Sequence, residues 1–255
     1  MDKIKFLGTA GARFVVTRQL RKSGGIWLTL ENTNILIDPG PGSLVRLLSS
    51  KPRLNPTELD GIILTHRHID HSNDINIMIE AMTNGGFKKR GVVFVPKDAI
   101  EEDPVILSHF RNLPEKIEKL HEKGEYKIGN IKFSTPVKHE HGVETYGLNI
   151  FGEKYSISII ADTQYFEGLE KYYPGDVLIL NVVLLENKAN IQHLSIKDAE
   201  TIISRNKPKI SVLTHFGMNV IRSKPWELAE SLSEKLGVKI IAASDGMEID
   251  ISKHL

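Results

Sequence analysis

Short runs of apolar and β-branched residues recur along the chain, each about the length of a strand. They lie at Ile4 to Leu7, Ile26 to Leu30, Thr33 to Ile37, Gly61 to Thr65, Val92 to Val95, Tyr126 to Ile128, Ile131 to Thr135, Tyr146 to Phe151, Tyr155 to Ala161, Val177 to Leu184, Ile210 to Thr214, Val238 to Ala242 and Met247 to Ile251. So many strands exceed what a simple doubly wound sheet holds. Between them the period changes to that of a helix. Ile75, Met78, Ile79 and Met82 fall on one helical face, as do Ile196, Ala199, Ile202 and Ile203, with shorter patterns at Leu44, Leu47 and Leu48 and at Leu228, Leu232 and Leu236. Val177 to Leu184 is apolar on both faces, which requires cover on both sides of its sheet. The pattern predicts an α/β fold with two sheets inside and helices outside. The charge-rich segment from Pro114 to Lys127 reads as an exposed helix and loop, and Trp27 and Trp226, both in regular elements, as core. No linker, repeat or low-complexity tract interrupts residues 1–255, so one domain is expected.

Composition narrows the chemistry. The 255 residues carry 33 Lys and Arg against 32 Asp and Glu, a net charge of +1, so no global field draws the chain to nucleic acid or to an anionic membrane. The absence of cysteine removes disulfides, thiolate zinc sites, iron–sulfur clusters and thiol nucleophiles, leaving His, Asp and Glu as the strong metal ligands. The longest stretch free of charged residues, Ile210 to Ile221, is twelve residues, short of the roughly 20 of a membrane span. The opening MDKIKFLGTAG has no apolar core of signal-peptide length, and a cytoplasmic location is expected. Gly8-Thr9-Ala10-Gly11 lacks the glycine spacing of a dinucleotide loop and reads as a plain turn.

Directly after the predicted strand Gly61 to Thr65 comes His66-Arg67-His68-Ile69-Asp70-His71, four candidate ligands in six residues. In extended backbone, residues two apart face the same side, so His66 and His68 can grip one cation while the following turn swings Asp70 and His71 toward a second. A single histidine is more often a satisfied core or surface imidazole, but that account does not extend to the whole set. His109, His121 and His254 stand apart from any motif.

This H-x-H-x-D-H motif after a strand, preceded by Asp38 in Ile35-Leu36-Ile37-Asp38-Pro39-Gly40, resembles the metallo-β-lactamase fold hydrolases. His141 in HGVETYG, Asp162 in IIADT and His215 in VLTHFG follow in the family's order, so the resemblance runs from Gly8 to Glu248. It implies a four-layer αββα sandwich with the site at one edge. It also implies two divalent cations per chain, zinc first and manganese or iron as alternatives. His66, His68 and His141 would hold one, Asp70, His71 and His215 the other, and Asp162 would bridge them together with a hydroxide, with Asp38 supporting the site from behind. His139, two residues before His141, is either a substrate-side group or an ordinary exposed histidine.

His193, in QHLSIKDAETI ahead of a Ser195/Asp198 capping-box pattern, is similar to the histidine of the phosphodiesterase branch: the tRNA 3′-processing endonucleases and the phosphoribosyl cyclic phosphodiesterases. There it contacts phosphate and protonates the leaving oxygen, so His193 is expected to act in catalysis; Asp70 of the H-x-H-x-D-H motif is the second residue expected to do so. The 21 residues from His141 to Asp162 leave no room for the arm with which the endonucleases hold tRNA, and SDGMEI at Ser244 to Ile249 is similar to the end of the cyclic phosphodiesterases, although their cysteine-held structural zinc has no counterpart here. Arg13, Arg18 and Arg21 are candidate substrate contacts. The expectation is a hydrolase of small or cyclic phosphodiesters, acting as a homodimer without membrane or nucleic-acid partners. A tRNA 3′ endonuclease, a thioester or lactone hydrolase, and a metal-binding module without turnover are the alternatives.

Overall fold

The computed structural model describes residues 2–253; His254 lies outside the described residues. The first half of the chain forms β1 (Lys3–Phe6), α1 (Ala12–Thr17), β2 (Ile26–Leu30), β3 (Thr33–Ile37), α2 (Ser43–Ser49), β4 (Gly61–Ile63), α3 (Ile69–Ser72), α4 (Ile75–Met82), β5 (Val92–Pro96), α5 (Asp98–Glu101) and β6 (Lys116–Leu120). The second half forms β7 (Gly124–Ile128), β8 (Ile131–Thr135), β9 (Leu148–Phe151), β10 (Ser156–Ile160), β11 (Val177–Leu184), β12 (Leu194–Ser195), α6 (Ile196–Asn206), β13 (Ile210–Thr214), α7 (Met218–Arg222), α8 (Pro225–Leu236), β14 (Lys239–Ala242) and β15 (Glu248–Asp250).

The strands build two mixed sheets. One runs in the order β15-β1-β2-β3-β4-β5-β6 and the other β14-β13-β11-β10-β9-β8-β7, with β12 paired to β11 beside it. Strict alternation along each strand sends one set of side chains between the sheets and the other under the helices. Ile35, Ile37 and Ile63 pack against Phe133, Ile150 and Ile179 in the central layer. Leu36, Ile62 and Val93 turn to the opposite face, where Leu47 of α2 and Met78, Ile79 and Met82 of α4 cover them. On the second sheet Leu178, Leu180 and Leu213 meet Ala199, Ile202 and Ile203 of α6 and Leu232 of α8. This is the expected αββα sandwich. Trimming one of these fully buried aliphatic side chains to alanine costs about 2–5 kcal/mol, because the packed layers on either side cannot collapse into the gap.

Two local expectations fail. Pro114 to Lys127 is not a helix and loop: it contains β6 and the first part of β7. In β7, Gly124, Tyr126 and Ile128 are buried while Glu125 and Lys127 are exposed, so the charges mark the solvent face of a strand. β6 is an edge strand whose Lys116 and Lys119 face water, a common protection of an open edge. Trp226 is 57% exposed at the start of α8, whereas Trp27 is core as expected. No helix among the described residues is long and apolar enough to cross a membrane.

Candidate metal centre

The site lies where strand ends of the two sheets meet. From the first sheet, the turn after β4 carries His66 and His68 into α3, which holds Asp70 and His71, while Asp38 follows β3. From the second, His141 lies between β8 and β9, Asp162 follows β10, His193 precedes β12 and His215 follows β13. Asp38 (φ 52°) and His215 (φ 59°) sit in left-handed backbone, a conformation costly for side-chain-bearing residues and typical of functional strand ends. Gly11 lets its chain lie against the second of these turns, since a Cβ there would fall 2.0 Å from the carbonyl oxygen of His215.

Hydrogen bonds behind the site orient the rings. Asp38 accepts from the Thr65 amide and hydroxyl, both at 2.7 Å, and from His71 Nδ1 at 2.9 Å. With its proton given to Asp38, the Thr65 hydroxyl receives His66 Nδ1–H at 3.1 Å. His141 Nδ1–H donates to the Gln192 carbonyl at 3.0 Å. In neutral His66 and His141 the second nitrogen is thus left as a lone pair facing inward, while Asp38 turns Nε2 of His71 the same way.

The inward ring nitrogens converge. His141 Nε2 lies 3.1 Å from His68 Nδ1, and His71 Nε2 lies 3.3 Å from His215 Nε2. Asp162 Oδ2 is 3.8 Å from His66 Nε2, 3.6 Å from His71 Nε2, 3.4 Å from His215 Nε2 and 3.5 Å from His193 Nδ1. Buried His66 Nε2 has no hydrogen-bond partner. Imidazole nitrogens converging on a buried carboxylate, one of them unpartnered, form a donor set that fits a cation. His66, His68 and His141 form one group able to hold an ion, Asp70, His71 and His215 another, with Asp162 joining His66 and His71 in a third. His141, Asp162 and His193 form a fourth.

Electrostatics follow the burial. Burial, with His71 next, pushes His66 well below the ordinary histidine value, and burial with His141 brings His68 down to about 4. Burial also opposes the charge on His71, but Asp70, Asp38 and Asp162 outweigh it and raise that imidazole well above its ordinary value. For Asp162, burial alone would raise the carboxyl; His215, His193 and His71 reverse this and hold it well below the carboxylate range. Burial lowers His193, against the upward pull of Asp162.

An open groove above the cluster is walled by Arg13, Phe14, Ile69, Ile191, Asn190 and His193. Arg13 thus stands at the mouth. Arg18 does not line the groove and stacks over the Phe14 ring at 5.6 Å, and Arg21 reaches back toward the Thr9 hydroxyl at 3.5 Å, because α1 and the loop after it turn these side chains away. His139 is neither exposed nor at the groove. It is 3% exposed, its Nδ1 lies 3.3 Å from the Asp162 carbonyl oxygen, and its Nε2 receives the Tyr173 hydroxyl at 2.6 Å. Gly147 makes room for that tyrosine: a Cβ there would lie 2.5 Å from its hydroxyl oxygen. His109 and His121, which belong to no motif, are surface residues.

Sequence reasoning missed Thr65 and also Asn181, whose side-chain amide donates to Asp162 Oδ1 at 2.9 Å. Asn181 had a visible signal, being the one polar residue in the otherwise apolar run Val177 to Leu184.

The sandwich and its His/Asp clusters define a hydrolase of the metallo-β-lactamase fold. Residues 33–216 match the family model of the beta-lactamase superfamily domain, and the chain belongs to the metallo-β-lactamase superfamily. It is 28% identical over 260 residues to the uncharacterized protein MJ1374 of Methanocaldococcus jannaschii, covering 98% of this chain and 95% of that one. It is 31% identical over 156 residues to the ribonuclease Z of Thermococcus kodakarensis, covering 60% of this chain and 48% of that one. Among solved structures it is similar in fold to the metallo-beta-lactamase fold protein YhfI of Bacillus subtilis, with a TM-score of 0.81, 19% identity and coverage of 97% and 98%. It is also similar to a diphosphatase of the PhnP family, with a TM-score of 0.70, 16% identity and coverage of 98% of each chain.

Proposed function

We propose that this chain is a two-metal phosphodiesterase acting on a small or cyclic phosphate ester, with zinc the first choice of cation and manganese or iron the alternatives. His193 carries the reading. It belongs neither to the group His66, His68 and His141 nor to the group Asp70, His71 and His215, and it stands on the groove wall, with its ring 5.1 Å from that of His141 and a buried Nδ1 that has no hydrogen-bond partner. Its place is fixed from behind. Ser195 caps α6 through a reciprocal bond with Asp198, which accepts the Ser195 amide at 2.8 Å, and β12 pins the same segment to β11.

In the proposed reaction His193 binds a phosphoryl oxygen and gives a proton to the departing alkoxide. An anionic ester beside the imidazole acts in the same direction as Asp162, raising its proton affinity. Arg13 at the mouth pairs with a second phosphate oxygen. His66, His68, His141, Asp70, His71, His215 and Asp162 are the residues that would hold the metals. When bound, two divalent cations supply an activated water and offset the charge that develops on phosphorus. Similarity to a ribonuclease Z and to a diphosphatase supports the phosphoryl class over thioester or lactone hydrolysis.

The ribonuclease Z similarity favours one second reading, a tRNA 3′ endonuclease. Against it, the interval between His141 and Asp162 is filled by the β9–β10 hairpin, and the net charge of +1 supplies little attraction for a polyanion. The test is an assay of zinc- or manganese-loaded protein on bis(p-nitrophenyl) phosphate, a lactam, a thioester and precursor tRNA. Turnover is expected on the phosphodiester. Tight, saturable binding and 3′ cleavage of precursor tRNA at physiological salt would replace the first reading with the second, and turnover confined to the lactam or thioester would reject both.

A further inference from the structure

One ligand group, His66, His68 and His141, is assembled from both sheets: two of its rings leave β4 and the third lies between β8 and β9. Its geometry therefore depends on how firmly the two turns are held together. We propose that Asp98, the first residue of α5 and part of neither turn, is a positioning residue that ties them.

The bonds that carry the inference converge on one carboxylate oxygen. Asp98 Oδ2 accepts Arg67 Nε–H at 2.9 Å, and Arg67 is the residue between His66 and His68. The same oxygen accepts the backbone N–H of Glu144 at 3.1 Å, three residues past His141. Glu144 answers through its own carboxylate, whose Oε2 accepts the Asp98 amide at 3.1 Å and whose Oε1 accepts the Tyr146 hydroxyl at 2.7 Å. Tyr146 closes the circuit, its amide donating to the Thr65 carbonyl at 3.1 Å, one residue before His66. The outer end of Arg67 is held by Asp103 at 2.5 Å, which fixes the guanidinium plane.

Asp98 is 5% exposed and its other oxygen, Oδ1, has no partner, so the carboxylate is buried chiefly for the sake of Oδ2. Charge-assisted bonds of this kind are strong and directional, and losing the acceptor leaves both turns with an unmatched donor. Metal–ligand distances tolerate deviations of about 0.2 Å. A small relative slip of the turns would separate His68 from His141 while leaving Asp70, His71 and His215, which Asp98 does not touch, in register.

The inference rests on the two-metal reading, and its test separates the two. Zinc is titrated into chelator-treated protein against a competing chelator, for wild type, Asp98→Ala, Asp98→Asn and Asp60→Ala. Asp60 is the control, a carboxylate just ahead of β4 that accepts Arg90 at 3.2 Å and the Asn34 amide at 2.8 Å away from the site. Wild type should bind two equivalents. Asp98→Ala should weaken one of them about 10- to 100-fold and leave the other within about threefold. Asp98→Asn, which keeps an acceptor oxygen, should recover most of that loss. Asp60→Ala should lower the Tm with both affinities unchanged. Should Asp98→Ala fail to fold, Arg67→Gln cuts the same tie from its exposed side and should give the same selective loss. Unchanged affinities, equal weakening of both equivalents, or a loss that Asp60→Ala reproduces at equal Tm would overturn the role of Asp98. A wild-type chain that binds one equivalent or none would instead overturn the two-metal reading beneath it.

Discussion

Asp38 faces His71 across 2.9 Å, and the oxygen that receives the imidazole Nδ1–H also receives the Thr65 hydroxyl at 2.7 Å. One carboxylate thereby sets the orientation of His71 directly and that of His66 through Thr65, although it is not among the groups able to hold an ion. Asp38→Ala should free both rings to rotate, and zinc affinity should fall about 10- to 100-fold, as is usual when a ligand's outer partner is lost. Chelator competition reads the effect directly. Retention of wild-type affinity would mean that packing alone orients His71.

Side chains that act alone were legible in the sequence, and those that act through distant partners were not. The H-x-H-x-D-H run declared itself because its chemistry is local, and the strands were readable because apolar alternation is local too. Of the fifteen strands in the described residues, the expected runs missed β6 and β12. The first is disguised by the charges of an open edge, and the second is two residues long. Asp98 gave no signal because its bonds reach 31 residues back to Arg67 and 46 forward to Glu144. His139 was misplaced for a related reason: spacing to His141 put it on a face, while its burial depends on Tyr173, 34 residues away.

His139 should leave a mark on the pH dependence of stability. Burial lowers its value to about 4, against an unfolded histidine near 6.5. Between those values the unfolded chain binds a proton that the folded chain refuses, so stability contributed by the neutral buried ring is complete above about pH 6.5 and declines as pH falls toward 4. The shift corresponds to about 3 kcal/mol. In chelator-treated protein, His66 and His68 act with the same sign and His71 with the opposite one, so the test is a difference. Urea unfolding of wild type and His139→Gln from pH 4 to 7.5 should show a flatter profile for the variant. Parallel profiles would sink the assignment.

Asp162, the carboxylate expected to bridge the two metals, is 2% exposed and held charged by His215, His193 and His71 against the cost of its burial. Zinc-loaded, desalted wild-type protein should contain close to two equivalents by elemental analysis. Asp162→Ala should lose metal and activity together, because the bound cations would face one another without a charge between them. A variant that keeps two equivalents would show that the carboxylate is not shared.

The role proposed for His193 separates three outcomes in one experiment. If it is a phosphate ligand and proton donor, His193→Ala keeps its metal content and loses about 10²- to 10⁴-fold in kcat on an alkyl phosphodiester, the usual worth of positioned proton transfer. On bis(p-nitrophenyl) phosphate the loss should be much smaller, since p-nitrophenolate is weakly basic and departs without a proton. Equal losses on both substrates would keep phosphate binding and remove proton donation. Loss of metal would transfer His193 to the ligands, an outcome the geometry makes concrete, because His193 also forms an ion-sized group with His141 and Asp162.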